Sequence, residues 1–373
     1  MRILVTGSDG FIGKNLIMHL KERNDIEVNC FNKKSSHEDL SGYIKDADFI
    51  FHLAGVNRPK IPSDFKKGNV DFTQVLVNKI KETGSKASVI YTSSIQAELD
   101  NDYGLSKKTA ESVLLKLNNR SITQVGIYRL PNVFGKWAKP NYNSAVATFC
   151  FNIANDLPIQ INDPKSEINL IYIDDLIEQF LKIIDGKIKL KSFLNIEKIY
   201  KISVANLAKQ LYKFKDSRTN LITEEVGEGL IRALYSTYLS YYPKNNFSYI
   251  LPQYKDDRGV FVEMLKTKSC GQFSFFTAHP GITRGEHYHH SKNEKFLVIK
   301  GRASFKFRHM ISGDCHEILT DGTSSEIVET VPGWTHNIKN VGDTELIVML
   351  WANEIFDRDK PDTYANLVSE RSE

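Results

Sequence analysis

The sequence predicts two domains of different class, a doubly wound α/β domain followed by an all-β antiparallel one. Three observations predict this. Up to about Phe214, short apolar runs alternate with helix-length segments, whereas beyond about Phe247 the runs are short, β-rich and punctuated by glycine. Histidine divides in the same way, with seven of the ten between residues 279 and 373. The chain has 373 residues, more than the ~250 at which a single core stops growing.

In the first part, Ile3-Leu4-Val5, Val28-Asn29-Cys30-Phe31, Phe49-Ile50-Phe51, Val89-Ile90-Tyr91 and Val125-Gly126-Ile127-Tyr128 read as strands. Segments 14–23, 72–82 and 107–117 carry apolar residues at three- and four-residue spacing and read as helices. Strands separated by helices make βαβ units and a parallel sheet. In the second part, runs within 273–276, 296–299, 303–307, 327–328 and 346–350 suit an antiparallel sandwich or barrel. Between them, Tyr235-Ser236-Thr237-Tyr238-Leu239-Ser240-Tyr241-Tyr242-Pro243 is too apolar for a free linker and is expected to be packed. We place the boundary so that residues 1–246 form the first domain and 247–373 the second.

With 25% charged and 41% hydrophobic residues, the composition excludes a disordered, collagenous or disulfide-scaffold chain. No apolar run approaches the ~18 residues of a membrane helix, and Met1-Arg2-Ile3-Leu4-Val5 enters a strand without a leader pattern. A soluble cytoplasmic protein without membrane insertion is expected. Cys30, Cys150, Cys270 and Cys315 lie far apart without CxxC spacing, as reduced thiols or small buried hydrophobes would. A net charge of +4 is too weak to argue for nucleic acid. From Pro252 onward 15 Lys/Arg face 18 Asp/Glu, so the front part is the basic one and suits an anionic ligand.

Thr6-Gly7-Ser8-Asp9-Gly10-Phe11-Ile12-Gly13 follows the first strand and opens a helix. Glycines there let the backbone approach a pyrophosphate held against the helix N-terminus. A glycine triplet alone is equally a tight strand-helix turn; strand, helix and later motifs together favour the nucleotide. An NAD site places an Asp or Glu after the second strand, where this chain has Phe31-Asn32-Lys33-Lys34. Lys33 and Lys34 can pair with a 2′-phosphate, which predicts NADPH, although lysines on exposed turns are common without that role. Tyr103-Gly104-Leu105-Ser106-Lys107 is a YxxxK one helical turn apart. Such a lysine lowers the phenol pKa and binds ribose, and the tyrosine passes a proton to a carbonyl oxygen as hydride arrives. Ser94, ending Tyr91-Thr92-Ser93-Ser94, would hydrogen-bond the same oxygen. One YxxxK among 16 tyrosines is compatible with chance; in this order after a glycine turn it is much less so.

In the second part, Gly281-Ile282-Thr283-Arg284-Gly285-Glu286-His287-Tyr288-His289, then Glu294 and Gly301, is followed by Pro332-Gly333-Trp334-Thr335-His336 and Asn340. Alternation in a strand puts His287 and His289 on one side, and Glu294 with His336 can close a shell of three imidazoles and one carboxylate. The donor set suits Zn, Fe, Mn, Ni or Cu. His290 would point the other way and is left out.

Residues 1 to about 215 resemble the extended short-chain dehydrogenase/reductases acting on nucleotide sugars, a Rossmann-type fold. The signatures are the glycine turn, His52-Leu53-Ala54-Gly55, the YxxxK, Arg129-Leu130-Pro131-Asn132-Val133-Phe134-Gly135 and Ile171-Tyr172-Ile173-Asp174-Asp175. The match implies Gly7, Gly10, Phe11, Ile12, Gly13, Leu53 and Ala54 on the cofactor, Ser94, Tyr103 and Lys107 at the reaction, and Asn132 near the sugar diphosphate. Lys107 would serve cofactor and reaction both. Only eight residues separate Ser94 from Tyr103, which implies a differently built sugar pocket.

Residues 255 to 352 resemble the cupin barrel, a jelly roll, and its metal motifs imply His287, His289, Glu294 and His336 as ligands, most often of zinc. Asp257-Arg258-Gly259-Val260-Phe261-Val262-Glu263 and Arg284-Gly285-Glu286-His287 also resemble the metal-free sugar-nucleotide 3,5-epimerases, where the residue matching His287 is the base. The complete ligand set favours the metal. The base is then unassigned, with Lys292, Lys295 and Tyr288 as candidates.

Stretches in both halves, such as His52 to Pro59, Phe134 to Ser144, Tyr235 to Tyr241 and Lys292 to Val298, resemble the bifunctional CapF/WbjC type of capsule and O-antigen enzyme. That resemblance implies C3 epimerisation of a UDP-linked 4-keto-6-deoxy-N-acetylhexosamine in the cupin, then NADPH reduction at C4 to UDP-2-acetamido-2,6-dideoxy-L-talose on the way to UDP-N-acetyl-L-fucosamine. It also implies a homodimer. The alternatives are a plain 4-ketoreductase with a structural or dimerising cupin, a metal oxygenase and a nucleotide sensor.

Overall fold

The computed structural model describes residues 1–118, 123–252, 254–256, 259–261, 265–267, 271–354 and 359–369. Cys270 and Asp257, Arg258, Val262 and Glu263 of the 257–263 motif lie outside them. Two compact units interleave along the chain, the first comprising Met1–Phe134, Tyr142–Ser144 and Ile168–Lys201. The second takes Gly135–Asn141, Ala145–Glu167 and the chain from Ile202 onward, so packing does not follow a single cut at 246/247.

The first unit is built on β1 (Arg2–Thr6), β2 (Glu27–Phe31), β3 (Phe49–His52), β4 (Ser88–Ser94), β5 (Val125–Leu130), β6 (Asn132–Phe134), β7 (Glu167–Tyr172) and β8 (Phe193–Leu194). Six of these form a parallel sheet in the order β2-β1-β3-β4-β5-β8, and β6 pairs in parallel with β7. Ile3, Leu4 and Val5 are wholly buried, the continuous apolar run of a strand covered on both faces. Helices α1 (Phe11–Lys21) and α2 (His37–Asp46), with Phe72–Thr83 and Asp102–Asn118, supply the crossovers. Local chemistry sets their ends: Ser36 and Asp39 form a capping box on α2, and Gly84 closes the helix Phe72–Thr83 in the left-handed conformation that glycine adopts without strain. The strand order reverses between β1 and β3, the switch point at which open α/β sheets bind ligands. The doubly wound reading therefore holds.

The second unit holds two five-stranded antiparallel sheets, the cupin-type all-β arrangement. In one the order is Ser248–Ile250, Glu326–Glu329, Glu294–Lys300, Leu346–Ala352, Gln272–Ala278; in the other Cys315–Asp321, Arg302–His309, Trp334–Asn340, Thr283–Tyr288, Tyr364–Ala365. Phe247, Phe296, Val298, Phe305, Phe307, Ile338 and Val348 make its core. The aromatic stretch expected to be packed continues from the helix Gly229–Leu239, with Tyr235 and Tyr238 buried. Of the described cysteines only Cys150 is a buried hydrophobe; Cys30 and Cys315 are exposed. No helix among the described residues is long and apolar enough to cross a membrane.

Candidate functional site

At the switch point the glycine turn follows β1. Gly7 has φ +69°, and a Cβ on it would come within 2.7 Å of the Ala54 backbone. A Cβ on Gly13 would sit 2.4 Å from the Gly7 carbonyl, so α1, which begins at Phe11 and Ile12, can close on the turn only with glycine there. The Gly7 N–H donates to the Phe31 carbonyl at 2.9 Å, the Leu53 N–H to the Thr6 carbonyl at 3.2 Å and the Ala54 N–H to the Thr6 hydroxyl at 3.4 Å. Gly10 caps α1 with no side chain, which leaves first-turn amides for an anion. Lys33 and Lys34 are exposed in the turn after β2, where the Asn32 side chain accepts the Lys34 N–H at 2.9 Å. These residues fit a dinucleotide on one observation in particular: the Ser8 hydroxyl, buried in the turn, has no hydrogen-bond partner among the described residues.

His52, at the end of β3, is wholly buried between the hydroxyls of Thr6 (2.8 Å) and Thr73 (2.9 Å). Burial, helped by the Lys107 charge, pushes its pKa down to about 3, so it is a neutral brace between elements.

Ser94, Tyr103 and Lys107 come together where β4 ends and the helix Asp102–Asn118 begins. The Ser94 hydroxyl accepts the Gln96 N–H at 3.2 Å and lies near enough to the Tyr103 phenol to lower its pKa. Lys107 reaches back to donate to the Thr92 carbonyl at 2.7 Å and lies over the Tyr91 ring. A Cβ on Gly55 would be 3.6 Å from its ammonium, so the turn after β3 joins glycine loop to lysine. The expectation that Lys107 holds the phenol down is not met here. Burial raises the Tyr103 pKa against the effect of the nearby Ser94 hydroxyl, and burial pushes Lys107 itself down to about 7 despite nearby Glu111. Asn132 opens β6 at an exposed position, donating to the Asn169 carbonyl at 3.3 Å.

Two supporting residues escaped the sequence reading. Glu111 accepts from Ser93 at 2.5 Å and takes Arg129 through both oxygens, at 3.0 and 2.7 Å. Its place four residues after Lys107, on the same helix face, was a legible signal. Asn69, in a π-helical turn, clamps Val56 through its N–H (2.7 Å) and carbonyl (2.9 Å) and donates to Ser106, and such a turn leaves no sequence signature.

The second unit collects His287, His289, Glu294 and His336 so that their ligand atoms lie within 4.8 Å of one another. His287 ends up opposite His336 because Glu286 forms a β-bulge, where the register jumps between Gly285 and His287. Simple strand alternation had not foreseen it. His289 Nε2 lies 3.1 Å from Glu294, and its Nδ1 contacts the Asp362 carbonyl at 2.5 Å. Burial pushes His287 down to about 3, with His336 and His289 adding to the shift, so it presents a neutral lone pair. Burial alone would raise the Glu294 carboxyl, but His289 and His336 beside it hold it well below the usual range. A metal fits this donor set, because both ring nitrogens of His336 are buried without a hydrogen-bond partner among the described residues.

His290 packs instead against Tyr288 and Tyr364, outside the shell as expected. Of the three candidate bases, Lys292 lies 3.4 Å from Glu294, Tyr288 stacks on Tyr364, and Lys295 is sequestered in a buried ion cluster with Glu329.

The profile of the NAD dependent epimerase/dehydratase family matches residues 3–196, and that of the polysaccharide biosynthesis C-terminal domain matches residues 254–364. Over 370 residues, 99% of this chain and 100% of the relative, the sequence is 59% identical to UDP-2-acetamido-2,6-beta-L-arabino-hexul-4-ose reductase of Pseudomonas aeruginosa. The capsular polysaccharide assembling protein CapF from Staphylococcus aureus is similar in structure, with a TM-score of 0.68 and 41% identity over 99% of this chain and 100% of that one. UDP-glucuronic acid 4-epimerase from Bacillus cereus, in complex with NAD, shares the fold alone, at TM-score 0.52 and 21% identity over 58% of this chain and 84% of that one. The chain therefore belongs to the NAD dependent epimerase/dehydratase family, in its CapF type, where that domain is followed by a polysaccharide biosynthesis C-terminal domain.

Proposed function

We propose that this chain is a cytoplasmic, homodimeric enzyme that inverts C3 of a UDP-2-acetamido-2,6-dideoxy-4-hexulose and then reduces its C4 ketone with NADPH, giving UDP-2-acetamido-2,6-dideoxy-L-talose. The functional division is the one at 246/247, with the nucleotide residues before it and the metal residues after. The observation that carries the reading is the Ser94, Tyr103 and Lys107 set, joined to the glycine turn through Ala54 and Gly55. The name of the Pseudomonas aeruginosa relative supports the ketone as substrate.

Gly7, Gly10, Phe11, Ile12 and Gly13 seat the pyrophosphate, while Leu53 and Ala54 close the loop behind it. When bound, the dihydronicotinamide supplies a hydride to C4. Tyr103, a phenol protonated at neutral pH, gives its proton to the oxygen of the ketone as charge develops there, and Ser94 hydrogen-bonds that oxygen. Lys107 holds the ribose and, in its charged form, stabilises the tyrosinate left by the proton transfer. Asn132 lies near the sugar diphosphate.

In the cupin, a C4 ketone acidifies the hydrogen on C3, so a general base takes that proton as the enolate forms, and a proton exchangeable with solvent is delivered to C3 on the opposite face. His287, His289, Glu294 and His336 would hold a divalent ion, zinc first, which supplies a Lewis acid for the developing negative charge. Incubation with NADPH and the 4-keto sugar in D2O tests both activities. Hydride at C4 with deuterium at C3 is expected; reduction without deuterium demotes the cupin to structure or dimerisation, and no turnover at all sinks the reading.

Lys33 and Lys34 select NADPH by pairing with its 2′-phosphate. Replacing both by glutamate is expected to lower kcat/KM for NADPH ~10–100-fold, the ~1.5–3 kcal/mol of hydrogen bonds to a charged group, and to leave NADH nearly unaffected. A wild-type kcat/KM that is higher with NADH would remove the assignment.

A further inference from the structure

The segment from Asp362 to Val368 runs beside the metal cluster and bonds to the stretches that carry its ligands. The Asp362 carbonyl contacts His289 Nδ1 at 2.5 Å. Its carboxylate accepts the backbone N–H groups of His290 (2.9 Å), Ser291 (2.8 Å) and Lys292 (2.7 Å), which lie in the turn between His289 and Glu294. The Thr363 hydroxyl accepts from Lys292 Nζ at 2.9 Å, and that ammonium lies 3.4 Å from Glu294. Tyr364–Ala365 then pairs antiparallel with His287 and Tyr288.

The far end of the strap meets the bulge. Glu286 has φ +59°, a left-handed backbone rare for anything but glycine, and it sets the turn that delivers His287. Its carbonyl accepts the Asn366 N–H at 2.8 Å, and its carboxylate accepts the Val368 N–H at 2.8 Å and the Asn337 amide at 2.7 Å. Asn337 directly follows His336. The strap thus touches the neighbourhood of all four ligands.

We propose that Asp362 is a positioning residue of the metal centre, fixing His289 and the following turn, so that the C-terminal strap is the outer layer of the site. The inference rests on the metal reading above. An imidazole that donates Nδ1–H to a carbonyl keeps its Nε2 lone pair for a ligand and has its ring plane set. The three amides that surround the Asp362 carboxylate in turn fix that carbonyl relative to the turn, as a nest fixes an anion.

The test compares Zn(II) affinity of the full chain, stripped by chelator and titrated against a chromophoric competitor, for wild type, Asp362→Ala and Asp362→Asn. Asp362→Ala is expected to weaken binding ~10–100-fold, and Asp362→Asn less, because it keeps one acceptor oxygen while turning an NH2 toward the amides. The melting temperature of the stripped protein reports structure separately and is expected to move little. Affinity within about twofold of wild type overturns the proposal, whether or not that temperature falls. If Asp362→Ala does not fold, unchanged affinity in Asp362→Asn overturns it equally. Wild type that binds no zinc defeats the metal reading itself, and the inference with it.

Discussion

Replacing Tyr103 by phenylalanine is expected to lower kcat ~10²–10⁴-fold while leaving KM for the cofactor nearly unchanged. The substitution removes one hydroxyl and keeps the ring that packs 5.7 Å from Phe65, so the helix Asp102–Asn118 should hold its place. An ordinary phenol is protonated at neutral pH, and burial pushes Tyr103 further in that direction. Phenylalanine therefore loses the proton donor without disturbing the glycine turn or Lys107, which bonds to Thr92 and not to the tyrosine. Lys107→Met should behave differently, raising KM for the cofactor as well as lowering kcat, because the proposed role of the lysine includes holding the ribose. A Tyr103→Phe enzyme retaining more than about a tenth of wild-type kcat would mean that another group delivers the proton.

Glu329→Ala is expected to destabilise the second unit by about 3–5 kcal/mol, the cost of breaking a buried ion pair by removing one partner. Glu329 is almost wholly buried and accepts from both Arg218 and Lys295, while Lys295 also donates to the Tyr249 hydroxyl at 3.2 Å. Burial would raise the Glu329 carboxyl, yet the two cations hold it below its ordinary value; burial would lower Lys295, yet Glu329 holds it well above. Alanine leaves two buried cations facing each other. Calorimetry should show a fall of roughly 10 °C in that unit's melting temperature. Replacing Arg218, Glu329 and Lys295 together by apolar residues of similar volume should restore most of it. A single-variant loss under about 1 kcal/mol would show that water reaches the cluster. The same pairing removes Lys295 as the cupin base, since its ammonium already has a partner.

How much of each site could be read in advance follows from how far apart its parts lie in sequence. The glycine turn, YxxxK and His-x-His groups are short-range patterns, and each side chain's direction follows from the element that carries it. Asp362 lies more than 70 residues beyond His289 and is in contact only because the chain returns as a final strand beside His287. The Glu286 bulge is similar: strand alternation put His287 and His289 on one side, while the register shift that sets His287 against His336 comes from sheet pairing.

From the sequence alone came the two fold classes, the alternation of strands and helices in the first part, the glycine turn, and the candidate reacting set and metal-ligand set, because periodicity and motif spacing are local properties of the chain. Tertiary structure alone decided the rest. It assigned the helices Ala145–Ala154, Val204–Asn220 and Gly229–Leu239 to the unit that holds the antiparallel sheets, it buried Lys295 against Glu329, and it brought the Asp362 strap to His289. It also put Lys107 on the Thr92 carbonyl, with a pKa near 7 in place of the ordinary lysine value. Each of these depends on which surfaces meet and how much water they exclude, and burial of that kind is a property of the packed chain, with no counterpart in the order of its residues.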